Sequence, residues 1–247
     1  MLYAGSLVTP MEGPVKAALR ALGIDFQGEP GGSKKLANFI ESGVRSPDVF
    51  ISADPALVKK LGSRVADGSI FATTSLGIVW STHSNIAARV FAQFSGMDLA
   101  PNAEKLENAL MTPGLKIGRT DPALDPKGQY TIEDMKAWLG PDGERRLLGD
   151  DGNPAQIYPE EELLARLDTG EIDAGFFYRT EAVARNAPFV ALPPEAAAAQ
   201  IKYTLAVMND APHPAAARAF TAFVLDGEGR AILTKAGLTY FTVPGNP

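Results

Sequence analysis

Short apolar segments alternate with amphipathic, helix-like segments over residues 2–62, and this alternation limits the fold more than any other feature of the sequence. The strand-like segments are residues 2–4, 24–26 and 49–51. The segments between and after them have apolar residues at helical spacing, and they end at Gly23, Gly43 and Gly62. Strands that alternate with capped helices predict an α/β fold built on a parallel sheet.

The alternation starts again in the middle of the chain, after a long β-prone run at 70–81. This run exceeds the usual strand length of about five or six residues, so it can cross between two lobes. A second long run at 202–208 can carry the chain back, and an alanine-rich helical tail follows it. One large domain and two smaller lobes both fit a chain of 247 residues. The alanine run at 196–199 is interpreted as linker or helix.

The composition excludes several classes of protein. With 23 basic and 29 acidic residues, the net charge of −6 does not suit a protein that coats nucleic-acid phosphates. The absence of cysteine excludes disulfides, thiolate metal sites and thiol nucleophiles. Two histidines, His83 and His213, lack metal-ligand or triad spacing, and we predict that neither is catalytic.

Two Gly-Ser turns each lie between a strand-like segment and a helix, and they contain Ser6 and Ser33. Backbone N–H groups at a helix N-terminus are unpaired and carry partial positive charge, so they can bind an oxyanion without lysine or arginine. Serine hydroxyls add donors that can rotate. The alternative is that both serines are only helix N-caps.

A loop without helical periodicity follows a strand-like segment at 115–117 and spans residues 118–128. It contains Asp121 and Asp125, each before a proline. Asp-Pro pairs commonly form turns, so both residues are either turn formers or binding residues. Arg119 is interpreted as a surface or pairing residue.

A third candidate lies at the end of the strand-like segment 172–178. Tyr178 and Glu181 follow at the edge where open α/β sheets bind ligands. The alternative is a half-buried tyrosine and a glutamate that begins the next helix.

Taken together, these motifs identify a family. The sequence resembles the periplasmic tungstate/molybdate-binding proteins of ABC importers, within the extracellular solute-binding protein family. The motifs that carry the resemblance are Ala-Gly-Ser-Leu at 4–7, Gly-Gly-Ser at 31–33, residues 47–54, Gly-Arg-Thr-Asp-Pro at 118–122, Tyr-Arg-Thr-Glu-Ala at 178–182, and the closing segments 203–207 and 227–233.

The resemblance implies a two-lobed type II periplasmic-binding-protein fold in which two crossing strands join the lobes. We expect residues 1–74 to form the first part of lobe 1, 75–201 to form lobe 2, and 202–247 to return and complete lobe 1. The resemblance implies no enzyme activity and no cofactor, a monomer, and delivery of the ligand to a membrane permease. It also implies a periplasmic or extracellular location, with a lipid anchor as one option and a leader segment that the chain does not carry.

Carried over motif by motif, the resemblance implies that Ser6 and Ser33 hold oxyanion oxygens, and that Asp121, Tyr178 and Glu181 face them from the second lobe. Carboxylates repel a dianion by several kcal/mol at an intermediate dielectric, at about 4 Å. If one oxygen each from Asp121 and Glu181 bonds directly to the tungsten or molybdenum atom, the interaction becomes attractive. The metal atom is then six-coordinate. Sulfate cannot expand its coordination shell in this way, so the carboxylates would reject it.

Two alternatives remain at this point. One is a binding protein or sensor of the same fold for ferric iron or another small anion, in which Tyr178 and a carboxylate serve the metal. The other is an enzyme that uses Asp121 and Glu181 as an acid and base pair, although no third orienting group or cofactor motif accompanies them.

Overall fold

The computed structural model describes residues 1–94, 96–149, 153–196 and 201–241. The chain divides into two compact units, residues 1–74 with 201–247 and residues 75–200. Of the alanine run at 196–199, only Ala196 lies among the described residues, where it ends a short 3-10 helix that starts at Pro194. The remainder of that run is outside them.

The helices and strands follow one another as the alternation predicts. Up to residue 74 they are β1 Leu2–Ala4, α1 Val8–Pro10, α2 Lys16–Ala21, β2 Glu29–Gly31, α3 Ser33–Glu41, β3 Val49–Ser52, α4 Pro55–Leu61 and β4 Val65–Thr73. The next unit contains β5 Leu76–Trp80, α5 Asn85–Phe91, β6 Met97–Asp98, α6 Ala103–Leu110, β7 Ile117–Thr120, α7 Pro126–Leu148, β8 Ile157–Tyr158, α8 Glu160–Asp168, β9 Ala174–Tyr178, α9 Arg179–Arg185 and β10 Phe189–Ala191. The chain then returns to the first unit with β11 Lys202–Met208, α10 Pro214–Leu225, α11 Glu228–Lys235 and β12 Thr239–Tyr240.

The first unit has a six-stranded sheet in the order β12-β4-β11-β3-β1-β2. Strand β1 pairs in parallel with β2 on one side and β3 on the other, whereas β11 is antiparallel to both β3 and β4. Helices α3 and α4 cover this sheet, and their apolar faces pack on Leu2 and Phe50. Strands β1 and β3 are short and fully buried, as expected where helices cover a parallel sheet.

The second unit repeats this plan with a six-stranded sheet in the order β6-β10-β5-β9-β7-β8. Strand β7 is parallel to both β8 and β9, and β5 is antiparallel to β9 and β10. Leu163 and Leu167 of α8 and Ala182 of α9 pack against Phe177 and Phe189 in the core of this unit.

The prediction of an α/β fold is confirmed, and the strands within residues 2–62 are parallel as predicted. Each complete sheet is mixed, which the alternation did not predict. In each sheet three neighbouring strands are parallel, and an antiparallel strand from elsewhere in the chain pairs beside them. An alternation of helices and strands predicts how elements that are adjacent in sequence connect. It does not predict the pairing of strands that are far apart in sequence.

Two strand positions also differ from the prediction. Residues 24–26 form no strand, because the ladder with β1 begins only at Glu29, where Leu2 pairs with it. Phe26 is nevertheless buried, and its ring lies 6.2 Å from that of Tyr3. The long run at 70–81 is two strands, since β4 pairs with β11 and β5 pairs with β9 in the other sheet.

Several helices start at the residues that the sequence indicates. The side chain of Asp54 accepts a hydrogen bond from the backbone N–H of Ala56 at 2.8 Å, ahead of the proline that begins α4. Asp125 plays the same part for α7, whose start the sequence did not predict, and it accepts from the N–H of Lys127 at 3.0 Å. Across the part of the chain described above, no helix has both the length and the apolar character to span a membrane.

Candidate functional site

Ser6 lies immediately beyond the end of β1, in a short 3-10 helix over Gly5–Leu7. Its side chain is buried, and its Oγ lies 2.7 Å from the hydroxyl oxygen of Tyr203 in β11. Either oxygen can be the donor in this bond. The hydroxyl therefore makes a contact across the sheet and does not cap a helix.

Ser33 is the first residue of α3, and Gly32 is the N-cap. The Ser33 side chain is 1 % exposed, and its Oγ accepts a hydrogen bond from the backbone N–H of Ala53 at 3.2 Å. Because this bond uses the oxygen as an acceptor, the hydroxyl proton of Ser33 stays available as a donor. The N-cap alternative is wrong for both serines.

The structure brings Ser6 and Ser33 to the same edge of the sheet. Ala4 pairs with Gly31 in the parallel ladder, so each serine follows its paired residue by two positions. Neighbouring strands are about 4.8 Å apart. Two buried hydroxyls therefore lie beyond the carboxyl ends of adjacent parallel strands, the edge where open α/β sheets bind ligands.

Asp121 follows β7 in the second unit and is half-buried. Its Oδ1 accepts a hydrogen bond from the N–H of Ala123 at 2.8 Å, and its carbonyl accepts one from the N–H of Asp125 at 2.9 Å. The turn interpretation of Asp121 is therefore confirmed. Among the described residues, Oδ2 takes part in no hydrogen bond, so the turn leaves one carboxylate oxygen for a ligand.

Tyr178 is the last residue of β9 and the N-cap of α9, and its side chain is buried. Glu181 is the third residue of α9, also buried, and its Oε2 accepts a hydrogen bond from the backbone N–H of Tyr178 at 2.9 Å. Glu181 thus lies in the first turn of α9, in agreement with the alternative interpretation that it is a helix-start residue. Since β7 and β9 are paired and parallel, Asp121 and Glu181 both lie at the carboxyl edge of this sheet.

Sequence reasoning missed Lys127, which is 1 % exposed. Its Nζ donates to Oε1 of Glu181 at 2.8 Å and to Oε2 at 3.0 Å, and it lies 3.8 Å from a carboxylate oxygen of Glu160. The ring centroids of Phe177 and Tyr178 are 5.2 Å and 5.5 Å from the same ammonium. One signal was available in the sequence: a lysine in the first turn of a helix is at the unfavourable end of the macrodipole and needs anionic partners.

The carboxylates around Lys127 lie at the N-termini of three helices. Asp125 caps α7, Glu160 is the first residue of α8, and Glu181 is in the first turn of α9. Partial positive charge at a helix N-terminus stabilises such carboxylates. The second unit therefore has a buried cluster of one ammonium and three carboxyl groups at the carboxyl edge of its parallel strands, called the Lys127 cluster below.

Burial has opposite effects on the acids and the base of the Lys127 cluster. Burial alone would lower the pKa of Lys127, but Glu181, Glu160 and Asp125 outweigh it and raise that pKa above its usual value. Burial raises the pKa of Asp125, although Lys127 opposes this. Burial likewise raises the pKa of Glu160 to about 8 against the attraction of Lys127, with repulsion from Asp125 and Glu181 added.

The prediction of a loop over 118–128 is wrong at both ends, because residues 118–120 belong to β7 and residues 126–128 begin α7. One residue in each of these two ends holds the turn between them in place. Arg119 is 2 % exposed, so the surface interpretation of this residue is wrong, and its backbone N–H donates to the carbonyl of Gln156 at 2.8 Å. A Cβ atom at Gly128 would lie 2.3 Å from the carbonyl oxygen of Thr120. Only a glycine lets the first turn of α7 approach the end of β7 this closely.

A mixed α/β sheet in each unit, with buried polar side chains beyond the carboxyl ends of parallel strands, is the structure of a binding protein for small solutes. The chain belongs to the family of bacterial extracellular solute-binding proteins, whose model matches residues 1–239.

Individual relatives are named for molybdenum or molybdate. A protein of Haloferax volcanii named as an ABC transporter molybdenum-binding protein is 32% identical over 204 residues, which cover 77% of this chain and 63% of that protein. The chain thus spans less than two thirds of that relative. The molybdate-binding protein of Mycobacterium tuberculosis is 31% identical over 251 residues, covering 95% of this chain and 84% of that protein. Among solved structures, the periplasmic molybdate-binding protein of Azotobacter vinelandii has the same fold, with a TM-score of 0.75 at 18% identity and 98% coverage of each chain.

Proposed function

We propose that this protein is the substrate-binding component of an ABC importer that captures a tungstate- or molybdate-type oxyanion and delivers it to a membrane permease. The observation that carries the proposal is the similarity to a molybdate-binding protein over nearly the whole chain. The ferric-iron alternative lacks such support, because the relatives quoted above are named for molybdenum or molybdate. As a member of a solute-binding family, the chain needs no catalytic group, and Asp121 and Glu181 act as ligands and not as an acid and base pair.

In the first unit, Ser6 and Ser33 donate hydrogen bonds to the oxo groups. The Ser33 hydroxyl accepts from Ala53 and keeps its own proton for the ligand. Ser6 is equally able to donate when the Tyr203 hydroxyl supplies the proton of the bond that they share. Hydrogen bonds to an anionic acceptor are shorter and roughly twice as strong as neutral ones.

In the second unit, Asp121 and Glu181 each bond the tungsten or molybdenum atom through one oxygen, and Tyr178 lies beside the ligand. Asp121 has Oδ2 available for this bond, as described above. Lys127 neutralises Glu181, and this reduces the repulsion that a dianion would otherwise meet. Four oxo groups and two carboxylate oxygens then complete six-coordination, which sulfate cannot adopt.

The remaining parts of the proposal follow from the family. The ligand is cargo, and no resident cofactor is required. We propose that the protein acts as a monomer in the periplasm or outside the cell, either free or held by a lipid anchor, and that a permease of the same importer is its protein partner.

The first experiment is a thermal-shift titration of ligand-free protein with tungstate, molybdate, sulfate, phosphate and ferric citrate. A ligand that binds only the native state at about 100 times its Kd stabilises it by about 2.7 kcal/mol. We expect a large rise in Tm for tungstate and molybdate only. Equal shifts with sulfate would reject six-coordination, and a shift with ferric citrate alone would reject the oxyanion.

Serine variants test the first-unit residues. Ser6→Ala and Ser33→Ala should each weaken tungstate binding by about tenfold, the equivalent of 1.4 kcal/mol. Ser42→Ala is the matched control, because this exposed serine ends α3 and bonds only the carbonyls of its own helix. Tungstate affinity that is unchanged in both site variants would remove the serines from the binding site.

A further inference from the structure

The ammonium group of Lys127 is in contact with carboxylates and aromatic rings. Its ammonium bonds both oxygens of Glu181, a third carboxylate oxygen from Glu160 lies 3.8 Å away, and two aromatic rings pack against it. Its side chain is 1 % exposed. A buried lysine that is paired in this way has one dominant partner, and that partner is Glu181.

The hydrogen bonds to Glu181 are distributed unequally between its two oxygens. Oε2 accepts from the backbone N–H of Tyr178 at 2.9 Å and from Lys127 at 3.0 Å. Among the described residues, Oε1 accepts from Lys127 alone, at 2.8 Å. Since each carboxylate oxygen offers about two lone-pair positions, Oε2 is fully used and Oε1 has one left.

We propose that Lys127 is the positioning residue for Glu181: it fixes the carboxylate, neutralises its charge and leaves Oε1 as the oxygen that bonds the metal atom of the oxyanion. This inference rests on the proposed function, and it adds a residue that sets the position of one of the two carboxylates that bond the metal atom. Lys127 itself does not touch the ligand.

Charge explains why such a residue is needed for the direct bond between Glu181 and the metal atom. A free carboxylate repels sulfate and tungstate alike, and only direct bonding to the metal atom compensates for this with tungstate. Lys127 and the backbone N–H of Tyr178 fix the orientation of the Glu181 carboxylate, so one lone pair of Oε1 has a fixed direction. Lys127 also offsets most of the negative charge of this carboxylate. Without Lys127, Glu181 regains both its charge and its rotational freedom, so the direct bond weakens.

A mutant cycle with calorimetric titration tests the coupling between the two residues. Lys127→Met should weaken tungstate binding by at least about tenfold, whereas Lys136→Met, an exposed lysine of the same helix, should change it by less than about twofold. In the Glu181→Gln background, Lys127→Met should add less than about twofold, because a residue that acts through Glu181 has nothing left to position. A full tenfold loss in both backgrounds would overturn the inference.

The tungsten L-edge X-ray absorption spectrum supplies a readout that a merely structural role would not move. Wild-type and Lys136→Met complexes should show six-coordinate tungsten, and the Lys127→Met complex should show a lower coordination number. A wild-type complex that binds tungstate as a tetrahedral anion would overturn the role of Oε1, although the protein would still be an oxyanion-binding protein.

A crystal structure of the wild-type tungstate complex decides the matter even if Lys127→Met does not fold. The inference predicts tungsten bonded to Oε1, with Oε2 still accepting from Tyr178 and Lys127. Tungsten bonded to Oε2, or Lys127 displaced from Glu181, would overturn it. Absence of any tungstate binding by the wild type is a different result, since it would overturn the proposed function itself.

Discussion

The substitution Lys127→Met removes the cation of the Lys127 cluster and leaves its carboxyl groups buried. Lys127 is 1 % exposed and holds Glu181 through contacts of 2.8 Å and 3.0 Å. Removing one partner of such a pair costs about 3–5 kcal/mol, because the remaining charge is uncompensated. We expect a loss of about 3 kcal/mol, toward the lower end of that range, because the N–H of Tyr178 and the helix N-terminus still stabilise Glu181.

Urea denaturation followed by tryptophan fluorescence measures this loss. Both tryptophans, Trp80 and Trp138, lie within residues 75–200, so the signal reports on the unit that contains the cluster. Lys136→Met is the control and should stay within about 0.5 kcal/mol of the wild type. Lys127→Met combined with Glu181→Gln should lose less than Lys127→Met alone, because the carboxylate that bonds Lys127 directly is no longer left as an unpaired charge.

The pH dependence sharpens the experiment. Lys127 lowers the pKa of the buried Asp125 and Glu160, so its removal should raise both pKa values further, and the loss should be smaller at about pH 5 than at about pH 8. A loss below about 1 kcal/mol at pH 8 would refute the reasoning, because surface pairs are worth only that much.

Three further predictions concern other residues. Burial raises the pKa of Glu160 to about 8, so the folded state keeps a proton that the unfolded state releases above about pH 4.5. This retained proton adds to the free energy of unfolding. The added stability is complete below about pH 4.5 and is lost as the pH rises to about 8. Glu160→Gln should therefore flatten the fall in unfolding free energy between about pH 5 and pH 8, and urea titrations with a fall as steep as that of the wild type would contradict this. Gly128→Ala should cost about 1–3 kcal/mol because its Cβ would contact the carbonyl of Thr120, whereas Gly96→Ala, with open space around it, should cost far less. Ser84→Ala removes the cap of α5 and a bond to Asp173, and thermal unfolding should show a loss of about 1–2 kcal/mol; a loss of a few tenths would argue against a capping role.

The sequence was sufficient to predict elements whose signals are local. The Asp-Pro start of α4 and the glycines after the early helices are short-range features, and the structure has helices there. The start of α7 at Pro126 was missed, because residues 118–128 have no helical periodicity. Strand pairing is a long-range property. The division of the run at 70–81 depends on β9 and β11, which begin more than ninety residues beyond the end of the run. No local pattern contains that information.

The same distinction applies to the candidate residues. Ser6 and Ser33 could be predicted because a Gly-Ser turn after a strand is a local pattern, and the ladder then brings them to one edge. The partners of Glu181 could not be predicted, since Lys127 is 54 residues away in sequence and its burial depends on three helix N-termini that meet only in the fold. A lysine in the first turn of a helix looks like an ordinary surface residue until its carboxylate partners are known.

A calorimetric titration of ligand-free wild-type protein with tungstate, carried out with and without a large excess of sulfate, distinguishes a tungstate-selective site from a general oxyanion site. We expect one equivalent of tungstate to bind, with nearly the same affinity in both titrations. Loss of tungstate binding when sulfate is present, or no heat of binding in either titration, would contradict this expectation.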